Sequence, residues 1–270
     1  YYSSRTPSQT HYIVSVITYN YEKNQINSLY SHFLGSERKL GVAAIAEERY
    51  RNVEFNPGTP NINPFQHYDG RAQYVVKQDG DRWLLNKYRY DKNECPYYIY
   101  RTKDLYVMLI EAFNHLGIYD EMEVLLHKGV NNKFPTPNYS TGVGTVSASF
   151  PGFSDYWSQT TPRGRRSYPD NGIRGAYTAL LERGLLPTDS EENIRHNDIE
   201  LLKEILLEFP AEGKTYSAML RMARRYNDYT IIADFVCPKY SVAMQGDIRS
   251  KILNGGYFVN WDIEKALGEN

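Results

Sequence analysis

Apolar residues recur at helical spacing through Asn197–Asp228, NDIELLKEILLEFPAEGKTYSAMLRMARRYND. Ile199, Leu202, Ile205, Leu206 and Phe209 share one stripe, Pro210 breaks it, and Tyr216, Met219, Leu220 and Ala223 resume it. Proline cannot donate to the preceding turn, so the pattern predicts two amphipathic helices joined by a short turn. Glu212 and Gly213 are expected to open the second helix with a carboxylate near its positive end. Arg221, Arg224 and Arg225 close it with cations near its negative end, each placement stabilising by a few tenths to about 1 kcal/mol.

Elsewhere the pattern changes period. Residues 1–10 are polar and turn-rich, and HYIVSVITYNY after them, with Ile13, Val14, Val16 and Ile17 β-branched, predicts a strand. Leu40, Ala43, Ala44 and Tyr50 mark a short helix ending near Asn52. A long loop, NPGTPNINPFQHYDG, runs from Asn56 to Gly70, too rich in Pro, Gly and Asn for a regular ladder or helix. It nonetheless carries Phe65, His67 and Tyr68, large groups that a mere connection does not need, and long loops inside a domain are more often functional than idle. Tyr74–Lys77 and Trp83–Tyr88 flank Asp79-Gly80 and predict a β-hairpin, with Trp83 either a ligand platform or an inward-facing core residue. Thr102 caps a helix over DLYVMLIEAFNHLG whose Leu105, Met108, Leu109, Ala112, Phe113 and Leu116 form the expected buried face, ending at Gly117. Asp120–Lys128 is its partner helix. Residues 129–170 combine linker composition with Tyr139, Phe150, Phe153, Tyr156, Trp157 and Tyr168, and the aromatics argue against full disorder. Ile231–Tyr240 and Ser241–Leu253 read as short helices.

Composition narrows the function. With 31 basic and 32 acidic residues in 270, net charge is −1, and no global field attracts nucleic acid or an anionic membrane. The chain carries 25 Tyr against 3 Trp and 10 Phe. Tyrosine joins an apolar face to a hydroxyl, which suits half-wet surfaces and the stacking of sugar rings, although many such rings simply pack between helices. Cys95 and Cys237, each preceding a proline, leave open one disulfide or two thiols, and neither has metal-ligand spacing. No apolar run reaches the roughly 18 residues of a membrane-spanning helix.

The run ILLEFPAEGKTYSAMLRMARR resembles the signature of the SusD/RagB family, surface nutrient-binding lipoproteins of Bacteroidetes-type outer membranes. Glu204, Glu208, Phe209, Glu212, Gly213, Tyr216, Leu220 and Arg221 stand at matching positions, while Lys214 and Met219 depart from it. Arg101, Leu109, Glu111, Ala112 and Gly117 match a second family helix, Asp69-Gly70-Arg71 a loop element, and Asn171-Gly172-Ile173-Arg174 a helix running to Gly184-Leu185. The resemblance implies a mainly α fold, a tetratricopeptide-like α-α superhelix with long loops and a small β-hairpin. It covers residues 1–270 as a C-terminal domain, with 129–170 as an insertion. Since no signal peptide or lipidation cysteine opens the sequence, the resemblance implies that the N-terminal half of the same protein is a partner, because helical repeats need neighbours to bury their faces.

The implied function is non-catalytic capture of an oligosaccharide at the outer-membrane surface, without cofactor, and its delivery to a SusC-like TonB-dependent porin. Candidate ligand residues are Tyr19, Tyr21, Phe65, His67, Tyr68 and Trp83, with Tyr156 and Trp157 as a second set. No catalytic residue is nominated: Glu204 and Glu208 lie on one helix, whereas a glycosidase needs two carboxyls facing each other across the bond. His67 and His115 lack the i, i+4 partner of a metal motif, and nucleophile-elbow and phosphate-loop motifs are missing. Peptide capture by the same architecture and a tetratricopeptide-type protein adaptor are the alternatives.

Overall fold

The computed structural model describes residues 13–28, 41–51, 76–79, 82–85, 96–127 and 184–257. The predicted loop 56–70, the insertion 129–170 and residues 171–183 of the predicted helix lie outside them, and its expected end, Gly184-Leu185, is not helical. The described chain is mainly helical, with two small sheets. It divides into one unit of Tyr1–Val42 with Ala46–Thr215, and a second of Ala43–Ile45 with Tyr216–Asn270.

In the first unit, β1 (Ile13–Ile17) pairs antiparallel with β4 (Tyr97–Arg101), bulging around Ser15. The predicted hairpin is present as β2 (Val76–Asp79) against β3 (Arg82–Leu85), with Asp79 opposite Arg82. The short helix α1 spans Ala44–Arg51, as the spacing predicts. Its Tyr50 is buried, donates its hydroxyl to Leu207 O at 2.6 Å, and stacks on Trp83 with centroids 6.5 Å apart.

Helix α2 covers Thr102–Leu116, one residue inside the predicted end, and Gly117 closes it in the left-handed region (φ 75°) with its N–H on Phe113 O. The cap is Arg101 rather than Thr102: Asp104 Oδ2 accepts from the Arg101 backbone N–H at 2.8 Å, half of a capping box. Helix α3 (Tyr119–His127) packs against it, as does α4 (Glu191–Glu208).

The buried face of α2 agrees with the predicted one at Phe113 and otherwise differs. Leu105, Met108 and Leu116 are 50%, 54% and 66% exposed, while Tyr106, Val107, Ile110 and Phe113 are buried together with Asp104, Glu111 and Asn114. Apolar residues extend over more than one face of this helix, so periodicity offers two stripes. The inner one was disguised by polar residues that find partners inside.

Helix α4 begins at Glu191, well before the apolar stripe, where Ser190 Oγ accepts from Asn193 N–H at 3.2 Å and Glu191 and Glu192 face the positive end of the helix. Leu202, Ile205 and Phe209 are buried as expected, and Leu201 and Leu207 join them, because the second half of this helix is covered nearly all round. The turn Phe209–Gly213 uses left-handed backbone at Ala211 (φ 59°) and Gly213 (φ 73°). Helix α5 starts only at Lys214 and runs to Tyr226, so Glu212 lies in the turn and no acid occupies the first turn of α5.

In the second unit the buried stripe of α5 is Ala218, Met219, Met222 and Ala223, with the expected Tyr216 exposed instead. Helix α6 (Thr230–Val236) buries Ile231, Ile232, Ala233 and Phe235, then passes through a 3-10 turn, Cys237–Lys239, to α7 (Val242–Lys251). Cys237 is a buried free thiol, and Cys95 lies outside the described residues. Arg249 ties α7 to α6 through Asp234 at 2.7 Å. A π-type turn, Ile252–Gly256, closes the helix, with Gly255 at φ 93°.

Candidate ligand-bearing surface and its ionic support

From Asp198 onward the acidic residues of α4 and its following turn point inward. Asp198, Glu200, Glu204, Glu208 and Glu212 are all buried, which a carboxylate tolerates only when a cation or several donors meet it. Arg49 of α1 places Nη2 at 2.9 Å from both Glu200 Oε2 and Glu204 Oε1. Arg101, at the strand-to-helix junction, uses its whole fork. Nη1 donates to Glu208 Oε1 at 2.9 Å, while Nη2 and Nε donate to the two oxygens of Glu212 at 2.9 and 3.1 Å. Nη2 also reaches Glu208 O, and the guanidinium lies 4.9 Å over the Phe209 ring. Planar bidentate contact of this kind is what arginine provides and lysine does not.

The N-terminal half of α4 is anchored by amides. Asn114 donates to Asp198 Oδ1 and Ile194 O at 2.8 Å each, and His115 Nε2 lies 2.9 Å from Asp198 Oδ2. Asn197 clips the segment before the helix, accepting from Leu186 N–H and donating to Leu186 O, both at 2.8 Å.

This frame carries the β1–β4 sheet. Tyr97 donates its hydroxyl to Glu212 O at 3.2 Å, and its pKa is raised, first by burial and then by the Glu212 charge and by Tyr19. The phenol therefore stays protonated. Lys214 bonds Asp104 Oδ1 at 2.7 Å and the Ile99 carbonyl, and its ammonium lies 4.3 Å from the centroid of the exposed Tyr100 ring. Val14, Ile17, Ile99 and Tyr100 leave this sheet partly open to solvent.

Among the predicted ligand residues, Tyr19 is partly exposed just beyond β1, within electrostatic range of Tyr97. Tyr21 opens a 3-10 turn, Tyr21–Lys23. Trp83 is 7% exposed against Tyr50, so it takes the core alternative. Phe65, His67, Tyr68, Tyr156 and Trp157 lie outside the described residues. Tyr97 and Tyr100 were missed, although the run Tyr97-Tyr98-Ile99-Tyr100 is a readable strand signal.

Glu204 and Glu208, the one carboxylate pair that invites an acid/base reading, have their oxygens engaged by different arginines. Among the described residues no group of three or more His, Cys, Asp and Glu is placed to hold a metal ion. None of the described helices is long and apolar enough to cross a membrane. No family model, curated protein or solved structure matches the chain.

Proposed function

We propose that the chain is the C-terminal portion of a SusD/RagB-like protein that captures an oligosaccharide at the outer-membrane surface, without catalysis, and passes it to a SusC-like TonB-dependent porin. One observation carries the reading: Glu204, Glu208 and Glu212, on which the resemblance rests, are the buried carboxylates of the end of α4 and the turn after it that Arg49 and Arg101 hold, and Gly213 closes that turn in the left-handed region. A signature of this kind is conferred by folding, and it supports a scaffold whose binding groups lie elsewhere, on the aromatic-bearing segments. The α2–α3 pair is the unit from which a tetratricopeptide-like superhelix is built. Tyr19, with its neighbour Tyr97, is the described part of the binding surface, stacking or hydrogen-bonding sugar at low cost in side-chain order.

The outward stripe of α2, Leu105, Met108 and Leu116, favours protein contact as well. It suits docking by the N-terminal half of the same protein, and it is equally what a tetratricopeptide-type adaptor would present. Titration calorimetry with a panel of neutral and acidic oligosaccharides and with peptides tests the reading. Heat with a glycan that Tyr19→Ala diminishes is expected. Binding of peptides alone, or of protein partners alone, would overturn the glycan assignment.

A further inference from the structure

Tyr229, between α5 and α6, and Tyr257, just after the π-type turn, belong to the second unit and take no part in the surface above. Their rings stack with centroids 4.3 Å apart and planes 16° from parallel, and each is partly exposed. That spacing lies at the short end for aromatic pairs. The pKa of Tyr257 is raised, first by hydrogen bonding to the Tyr229 side chain and then by burial, which sets the two hydroxyls at the same end of the stack.

The chain on both sides holds this arrangement. Asp228 Oδ1 accepts from Thr230 N–H and Oγ1 at 3.0 and 2.6 Å, setting the bend that carries Tyr229. Gly255 (φ 93°) turns the chain ahead of Tyr257, and a Cβ on Gly256 would stand 2.7 Å from Lys251 O, so the approach to Tyr257 needs both glycines. The π-type turn packs on α6, and Arg249 ties α7 to the same helix through Asp234.

Two phenols held face to face are arranged for one reaction above others. Loss of an electron and a proton from each gives a pair of phenoxyl radicals, whose unpaired density lies on the oxygen and on the ring carbons ortho and para to it. The para carbon bears the side chain, so the ortho carbons, the Cε atoms, are the ones that join. In the joined intermediate both carbons are tetrahedral, and the new bond stands across the two ring planes, the direction in which these rings already face. Each ortho hydrogen then passes as a proton to its phenol oxygen, and both rings become aromatic again. The net change is one carbon–carbon bond gained and two electrons and two protons lost. Proximity turns the encounter of two short-lived radicals into a step within one molecule.

We propose that Tyr229 and Tyr257 form a modification site, at which a diffusible one-electron oxidant couples the two rings through Cε into dityrosine. The oxidant takes up the two electrons and solvent the two protons. The bond closes the chain between the two positions into a loop and restricts the unfolded state as a disulfide does, so the product is a covalent staple of the second unit.

Brief illumination of the dilute protein with a ruthenium tris-bipyridyl sensitiser and persulfate, which becomes two sulfates as it accepts the two electrons, tests the site. Trypsin should then release residues 226–239 joined to residues 252–265, two hydrogens lighter than the separate peptides and carrying dityrosine fluorescence. Tyr229→Phe and Tyr257→Phe each keep a ring in the stack and should abolish the linked peptide, whereas Tyr226→Phe, on the same tryptic peptide as Tyr229, should leave it. The site is overturned if the linked peptide is no more abundant from the native chain than from the chain unfolded in urea, or if Tyr226→Phe removes it and Tyr229→Phe does not. The linked protein should unfold at higher urea than the unlinked one, and an unchanged midpoint would overturn the staple.

Discussion

Helices α4 and α7 invert one another. The first buries four carboxylates along its length and the second buries nothing, while Val242 on α7 is 85% exposed and Met244 is exposed with it. Partnership explains the difference better than polarity does. Each inward acid of α4 meets a guanidinium, ammonium, imidazole or amide, so its desolvation is offset. Each outward apolar group of α7 stands nearly alone, and single exposed hydrophobes are common on protein surfaces.

Removing a partner from α4 should therefore have the largest effect. Arg101→Met leaves Glu208 and Glu212 buried without their cation and is expected to cost about 3–5 kcal/mol in equilibrium urea unfolding. A loss under 1 kcal/mol would show that the carboxylates reach water. Next comes a contrast between the two arginines. Arg49 touches Glu200 and Glu204 through Nη2 alone, and its Nε is buried without a hydrogen-bond partner, so a lysine can replace much of it. Arg101 uses all three nitrogens. Arg101→Lys should thus destabilise by at least about 1 kcal/mol more than Arg49→Lys, the worth of a further charge-assisted hydrogen bond. Equal losses would mean that charge, not fork geometry, matters.

Asn197→Ala should cost about 1–3 kcal/mol by stripping the amide partner from both backbone groups of Leu186. On the other helix, Val242→Ser with Met244→Gln should change the unfolding free energy by no more than about 0.5 kcal/mol. A larger loss would reveal a hidden contact on α7. The smallest effect is alkaline. Tyr97 has a raised pKa in the folded chain, so above its ordinary value of 10.0 the unfolded state releases a proton that the folded state keeps. Stability is full below that pH and falls as pH rises towards the folded value. Tyr97→Phe should flatten this slope in unfolding measured between pH 9 and 11.

These pairs also explain which parts were legible in the sequence. The hairpin of β2 and β3, the short α1 and the break near Pro210 are local, set by turn chemistry and backbone preference, and all were readable. The inner face of α2 was not, because Asp104, Glu111 and Asn114 look outward by residue type, and only their distant partners turn them inward. The start of α4 was missed for a related reason: Glu191 to His196 carry almost no apolar signal, although Ser190 followed by two glutamates is a readable cap. Of the predicted ligand residues, Tyr19 is partly exposed, whereas the alternation around Trp83 fits either face and the contact with Tyr50 decides it.

The union of Arg101 with Glu212 joins positions 111 apart in sequence. A strand end, a helix start and a far-off turn are thus completed in one event, which makes assembly of this corner non-local and correspondingly slow. The same linkage makes the corner tolerant of what lies between. Closing a flexible loop costs only about 0.6 kcal/mol more for each doubling of its length, so the corner sets little thermodynamic limit on how many residues separate Arg101 from Glu212.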